Sequence, residues 1–242
     1  MEIRNIVLYG SGKSKDKIRD LLSQPGLEVT ESDDHFLDAD LVIAIHSGQT
    51  YPGPTEVKQG LFQKADGQAK EDTIFATTAS FGITQIASTT KRPSRFIGLN
   101  FVFNPFQDKS VVQLVKGLET SGETMEACKT LLSKTPALAI EVQDAPGLIL
   151  DRVMASVINE AATMLLMGLA TIEDIDKVAK SCLNWPAGPF EFADRLGVDE
   201  VLATLEVLSR EEGPQFRPCR LIKQMVTMRH FGRKTAKGFY SY

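Results

Sequence analysis

Three short stretches of this chain carry residue types and spacings that could do chemistry. Gly10-Ser-Gly12 closes the apolar run Ile3 to Tyr9 and precedes the polar, helix-competent stretch Lys13 to Leu22. Strand, glycine turn and helix in that order bring backbone N–H groups to a pyrophosphate at a helix N-terminus. Such a turn uses three glycines: one to turn, one to let backbone approach the phosphates, one for close helix packing. Here the third position is Lys15. Lys13 and Lys15 could attract phosphate, or they could simply line a solvated helix face. The second stretch is Asp33, or Asp34, an acid about 20 residues beyond the glycine turn, where both hydroxyls of an adenine ribose would need an acceptor. A turn or cap aspartate is the plainer account of it. The third is Arg95-Phe-Ile-Gly-Leu-Asn100-Phe-Val-Phe-Asn104-Pro105, an apolar strand that stops at an amide and runs into an Asn-Pro turn. His46 ends another apolar run and is either a functional residue or a solvated loop histidine.

The elements that must position these groups alternate between strand and helix. Pro25-Gly26 breaks the first helix, and Leu27 to Asp33 reads as a second strand. Only six residues separate Asp34 from the third apolar run, Leu41 to Ile45, too few for a normal crossover helix. Leu41 to Ile45 is continuously apolar, as a strand covered on both faces should be, and it leads into a Pro/Gly loop through Pro54. Thr55 to Ala65 is predicted helical, with Val57, Leu61 and Phe62 on one side. Thr73 to Thr77 and Arg95 to Leu99 read as strands four and five, with a short helix over Ile83 to Ser88. A capped helix from Ser121 to Ser133 and a strand over Ala137 to Val142 complete an α/β unit.

Beyond Gly147 the apolar spacing becomes helical, first at Leu150, Val153, Met154, Val157, Ile158, Ala161, Met164 and Leu165. Further helices are predicted over Thr171 to Lys180, Pro189 to Leu196, Val198 to Arg210 and Leu221 to His230, with a final strand pattern at Gly238 to Tyr242. The expected architecture is α/β: a Rossmann-like, mostly parallel sheet domain at 1–145, then an all-helical domain at 146–242. The long helix is apolar around enough of its circumference to suggest packing across a dimer, or else a core buried on several sides.

A net charge of −4 gives no reason to expect nucleic acid or an anionic membrane surface. No apolar run approaches the ~18 residues of a membrane span, and Met1-Glu-Ile-Arg lacks a signal-peptide core. Cys128, Cys182 and Cys219 are odd in number and isolated, so they are expected to be buried thiols in a reducing, cytoplasmic setting.

Asp144-x-Pro146-Gly147-x-Ile149-x-x-Arg152, Asn159-Glu160-Ala161, Asp174-Ile175-Asp176, Pro186-x-Gly188-Pro189-Phe190-Glu191 and Gly232-Arg-Lys-Thr-x-x-Gly238-Phe-Tyr240-x-Tyr242 together resemble the 3-hydroxyacyl-CoA dehydrogenases. Arg95-Phe-Ile-Gly-Leu and Phe103-Asn104-Pro105 do so too. The resemblance implies a Rossmann domain and a helical dimerisation domain, with NAD and acyl-CoA meeting in the cleft between them. Gly10, Gly12 and Asp33 match the NAD fingerprint, with Lys15 as a departure expected to weaken NAD binding. Lys58 matches a lysine that approaches cofactor or substrate in the family. Ser80 falls on the active-site serine and Asn104 on the asparagine of the Phe-Asn-Pro turn. The helical insert between strands two and three, which helps hold CoA in the family, is missing.

The same resemblance puts the family's catalytic histidine at Asn100, with Val102 as an extra residue before the turn. Its carboxylate partner, on the helix behind, falls on Gln113, and a second active-site asparagine falls on Asp151. Oxidising a 3-hydroxyl needs a base for the proton and donors for the developing oxyanion. Amides donate and accept hydrogen bonds but do not titrate, so Asn100 and Gln113 could orient a carbonyl without carrying the proton. Asp151 is the first candidate for a replacement base, ahead of Asp108 and His46, and its plainer role is a cap or an ion pair near Arg152. The functional expectation is an NAD-dependent hydride transfer at C3 of an acyl-CoA or related 3-hydroxyacid, in a homodimer or a heterodimer with an active paralogue. The alternative is a catalytically silent subunit or nucleotide/CoA-binding module.

Overall fold

The structure is a computed structural model that describes residues 2–12, 14–32, 36–45, 55–79, 82–103 and 110–242, with backbone only for 55–61. It divides into two compact units, one ending at Ala145 and one running Pro146–Tyr242.

In the first unit, strands β1 (Asn5–Gly10), β2 (Glu28–Glu31), β3 (Leu41–Ile45), β4 (Ile74–Thr77), β5 (Phe96–Phe103), β6 (Ser110–Lys116) and β7 (Leu138–Gln143) form one sheet in the order β2-β1-β3-β4-β5-β6-β7. All neighbours are parallel except β5 and β6. Helices α1 (Lys15–Leu22), α2 (Thr55–Gln68), α3 (Ile83–Ala87) and α4 (Gly122–Ser133) make the connections. Every residue of β3 and β4 is buried, which is why β3 reads as an unbroken apolar run and neither strand alternates with charged residues. Strand order reverses between β1 and β3, so the carboxyl ends of those two strands flank the crevice in which sheets of this kind take ligands.

The short route from β2 to β3 is held by side chains rather than by a crossover helix. Asp40 accepts from the backbone N–H of Arg4 (2.8 Å) and Asn5 (2.9 Å) at the start of β1, and from Lys70 Nζ at 2.6 Å. Phe36, 1% exposed, sets its ring edge-on against Tyr9 with centroids 5.5 Å apart.

Two expectations about the strands change. Strand two is Glu28–Glu31, short and polar as an edge strand should be, so Ser32 lies past its end. Strand five does not stop at Asn100; it continues to Phe103 because β6 pairs along its whole second half. Gln113 accordingly lies on a strand, not on a helix behind. Phe62 is buried as predicted, whereas the side chains of Val57 and Leu61 lie outside the described residues.

The second unit comprises α5 (Leu150–Leu166), α6 (Ile172–Leu183), α7 (Pro189–Leu196), α8 (Val198–Glu211) and α9 (Arg220–Thr227). Ile158, Ala161, Phe190, Val198, Leu205, Leu208 and Ile222 form its core. No strand forms at Gly238 to Tyr242. That segment is instead held by buried Asp194, which accepts from the N–H groups of Phe239 (2.9 Å) and Tyr240 (2.8 Å). Tyr240 Oη donates to Asp176, a second buried carboxylate that also accepts from the N–H of Phe190 and Glu191. A Cβ on Gly188 or Gly238 would collide with Asp176 or Asp194 at 2.2 and 2.0 Å, so the glycines of the two motifs admit these carboxylates. Cys128 and Cys219 are buried as expected, but Cys182 is exposed on α6.

Candidate functional site

Gly10 is the last residue of β1 and takes φ +87°, a conformation natural to glycine. A Cβ there would lie 2.6 Å from the carbonyl oxygen of Ile45, its register partner at the end of β3. The residue must therefore be bare for the two strand ends to close together. The turn passes through Gly12, whose carbonyl accepts from the N–H of Lys15 at 3.0 Å, and α1 begins at Lys15. The Lys15 side chain folds back over this turn: its Nζ donates to the Gly10 carbonyl at 2.9 Å and pairs with Glu31 at 2.8 Å. Arg19 holds the other oxygen of Glu31 at 2.9 Å and also pairs with Asp16. Lys15 keeps the Glu31 carboxyl below the usual carboxylate range.

On β5 and β6, Asn100 and Gln113 face each other across the antiparallel ladder. They are 5% and 3% exposed, and Gln113 Nε2 donates to Asn100 Oδ1 at 2.9 Å. Cross-strand pairing fixes the two Cβ atoms a few ångströms apart, so a hydrogen bond between two short polar side chains forms with little freedom to lose. A hydrogen bond between two buried amides stabilises the sheet, and neither group changes charge with pH.

The segment leading into α3 is held by Asp144, the first residue of the Asp-x-Pro-Gly motif. Asp144 follows β7 and accepts from the N–H of Gly82 at 3.0 Å and of Thr84 at 2.8 Å. It therefore caps a five-residue helix whose own N-cap position, Gly82, has no side chain to do so. The Asp-x-Pro-Gly spacing was the available signal, but its partner lies 62 residues away. Gly98 brings β5 so close to α3 that a Cβ would meet Ile83 Cδ1 at 2.8 Å.

In the second unit, Asp151 lies in the first turn of α5. Burial pushes its carboxyl up to about 6, and the Glu200 carboxylate adds to the shift. The neighbouring Arg152 guanidinium pairs with Glu212 at 3.1 Å and lies over the Phe216 ring. Lys234, in the Gly232-Arg-Lys-Thr motif, donates to Asp199 at 2.6 Å and lies 3.8 Å from Glu200. Glu31 and Glu200 carry no signal in the sequence, where each is one of many surface-type acids.

Of the residues singled out there, the structure brings Asn100 and Gln113 into contact and puts Gly10, Gly12 and Lys15 in one turn. Ser80, Asp33, Asp34, Asn104, Asp108 and His46 lie outside the described residues, as does the side chain of Lys58 on α2.

Residues 9–145 match the 3-hydroxyacyl-CoA dehydrogenase NAD binding domain, and residues 147–242 match the C-terminal domain of the same enzymes. The chain belongs to the 3-hydroxyacyl-CoA dehydrogenase family. This family member is 37% identical over 213 residues to the 3-hydroxybutyryl-CoA dehydrogenase of Bradyrhizobium diazoefficiens, covering 86% of this chain and 70% of that one. It is 38% identical over 188 residues to the enzyme of the same name from Clostridioides difficile, covering 77% and 66% of the two chains. It spans 60% of the length of the mitochondrial hydroxyacyl-coenzyme A dehydrogenase of Mus musculus. Among solved structures, the (S)-3-hydroxybutyryl-CoA dehydrogenase of Ralstonia eutropha superposes with a TM-score of 0.86 at 30% identity, over 100% of this chain and 99% of that one.

The Gly10 turn fits a dinucleotide. Gly10 and Gly12 carry no side chain, the turn stands at the point where strand order reverses, and it leads into a helix N-terminus. The departure from the family is the cation at Lys15.

Proposed function

We propose that this chain catalyses NAD-dependent oxidoreduction at C3 of an acyl-CoA or related 3-hydroxyacid, with its acid–base chemistry moved off the usual pair. The end-to-end match of both family domains carries the reading. Gly10, Gly12 and Asp33 hold the dinucleotide in this proposal, with Lys58 near it; Ser80 and Asn104 bind the substrate end. Lys15 gives up the close helix packing that a third glycine allows, which lowers NAD affinity relative to a three-glycine turn.

Bound NAD supplies the hydride acceptor. Asn100, held by Gln113, orients the C3 oxygen by hydrogen bonding. Asp151 takes the hydroxyl proton as the C3 hydrogen leaves, giving the 3-keto product, and returns it in the reverse direction. A carboxyl titrating at about 6 is suited to both directions near neutral pH. A general base contributes about 10²–10⁴ in rate, so the amide pair alone leaves a slow enzyme.

Fluorescence titration with NADH tests cofactor binding, and NADH absorbance with acetoacetyl-CoA tests turnover. Oxidation of 3-hydroxybutyryl-CoA should speed up as pH rises through about 6, because Asp151 must be ionised to accept the proton. Asp151→Asn should abolish that activity and leave NADH binding intact. Absence of NADH oxidation above background sinks the reading for acetoacetyl-CoA, and an unchanged Asp151→Asn rate removes Asp151 from the chemistry.

A further inference from the structure

A cation at the first residue of a helix is badly placed, since the helix presents its own partial positive charge there. Lys15 begins α1, and its ammonium is offset by the Gly10 carbonyl at 2.9 Å and Glu31 at 2.8 Å. A lysine there needs an anion to offset the helix field, and in the chain alone Glu31 supplies it.

The surrounding charges make the ammonium easy to release. Glu31 is shared: one oxygen faces Lys15 and the other faces Arg19 Nη1 at 2.9 Å. If Lys15 turned away, Glu31 would keep a guanidinium partner, and no carboxylate would be left without a cation. The Lys15 side chain is 20% exposed, so it is not fully sealed beneath the turn. Its contact with the Gly10 carbonyl puts it on the turn through which the family's NAD-binding domain begins.

We propose that Lys15 is a phosphate-binding residue of the dinucleotide site, exchanging Glu31 for a pyrophosphate oxygen when the cofactor binds. The proposal rests on the NAD reading above. The side-chain charge then restores part of the affinity that the missing glycine takes away. A charge-assisted hydrogen bond to phosphate is stronger than one from a neutral backbone N–H, and it is sensitive to salt.

The test is calorimetric or fluorescence binding of NADH, ADP and adenosine to the full chain and to two variants. Lys15→Met should weaken NADH and ADP by about tenfold or more, the scale of one charge-assisted hydrogen bond, and leave adenosine unchanged. Lys15→Arg, which keeps the cation, should retain most of the ADP affinity. Added salt should weaken ADP binding more steeply in the wild type than in Lys15→Met. Equal or tighter ADP binding by Lys15→Met overturns the proposal, as does an equal loss for adenosine, which would mark a distorted turn. If Lys15→Met does not fold by circular dichroism, salt-insensitive ADP binding by the wild type overturns it instead. A wild type that binds neither NADH nor ADP fails the NAD reading itself, and this proposal with it.

Discussion

Gln113 donates to Asn100 inside the sheet and leaves the Asn100 NH2 group as a donor, so the contrast to draw at this pair is with a titrating ring in the same place. An imidazole at Asn100 alone would be desolvated beside a neutral amide, and burial lowers its proton affinity. A carboxylate at Gln113 alone would be a buried charge without a cation, which is costly unless paired. Together they compensate, the carboxylate holding the ring and stabilising its charged form. The double variant Asn100→His/Gln113→Glu should therefore raise turnover of acetoacetyl-CoA by about 10²–10⁴, with each single change giving much less. NADH absorbance measured across pH checks it. A double variant no faster than wild type would show that this amide pair does not occupy the place of an acid–base pair.

Helix α3 is too short to stand by itself, and its placement depends on a carboxylate borrowed from beyond β7. Asp144→Ala removes the acceptor from two N–H groups at once. It should cost about 1–2 kcal/mol, the range of an N-cap deletion, read as a drop in the urea midpoint with an unchanged slope. Asp144→Asn, which keeps one acceptor oxygen, should lose less. This cap also marks where sequence reasoning stops. Local patterns revealed β1, β3 and β4, because a strand covered on both faces must be apolar throughout, and they revealed the Ser121 cap, whose oxygen accepts from Thr124 N–H three residues on. Pairing across long separations was invisible. Val111, Val112, Leu114 and Val115 are spaced so that either a helix or a strand could bury them, and only the ladder to β5 decides for strand. The end of β5 is illegible for the same reason, as its last residues are extended by partners on β6 rather than by their own pattern. The carboxylates Asp40, Asp144, Asp176 and Asp194 all act on backbone far from them in sequence, and composition alone cannot distinguish them from solvated acids.

At the scale of the whole molecule, no helix among the described residues is long and apolar enough to cross a membrane, yet the helical unit leaves large apolar side chains uncovered. Leu150 (39% exposed) and Val153 (51%) stand three residues apart on α5, and Leu166, Met167 and Leu169 crowd its far end. Isolated exposed apolar residues are ordinary, but an i,i+3 pair on one helix with three more gathered at its other end is an apolar surface that a partner could cover. We propose that a second copy of this chain covers it, because a homodimer needs only one face complementary to itself. Sedimentation should then give about twice the 26.6 kDa of one chain, and melting temperature should rise with protein concentration. Val153→Glu puts a charge one helical turn from Leu150. It should shift the protein towards the monomer mass while changing the circular dichroism spectrum little, since the residue is more than half exposed in the single chain. A wild type that sediments at one chain's mass across the micromolar range would leave that face to solvent and remove the dimer.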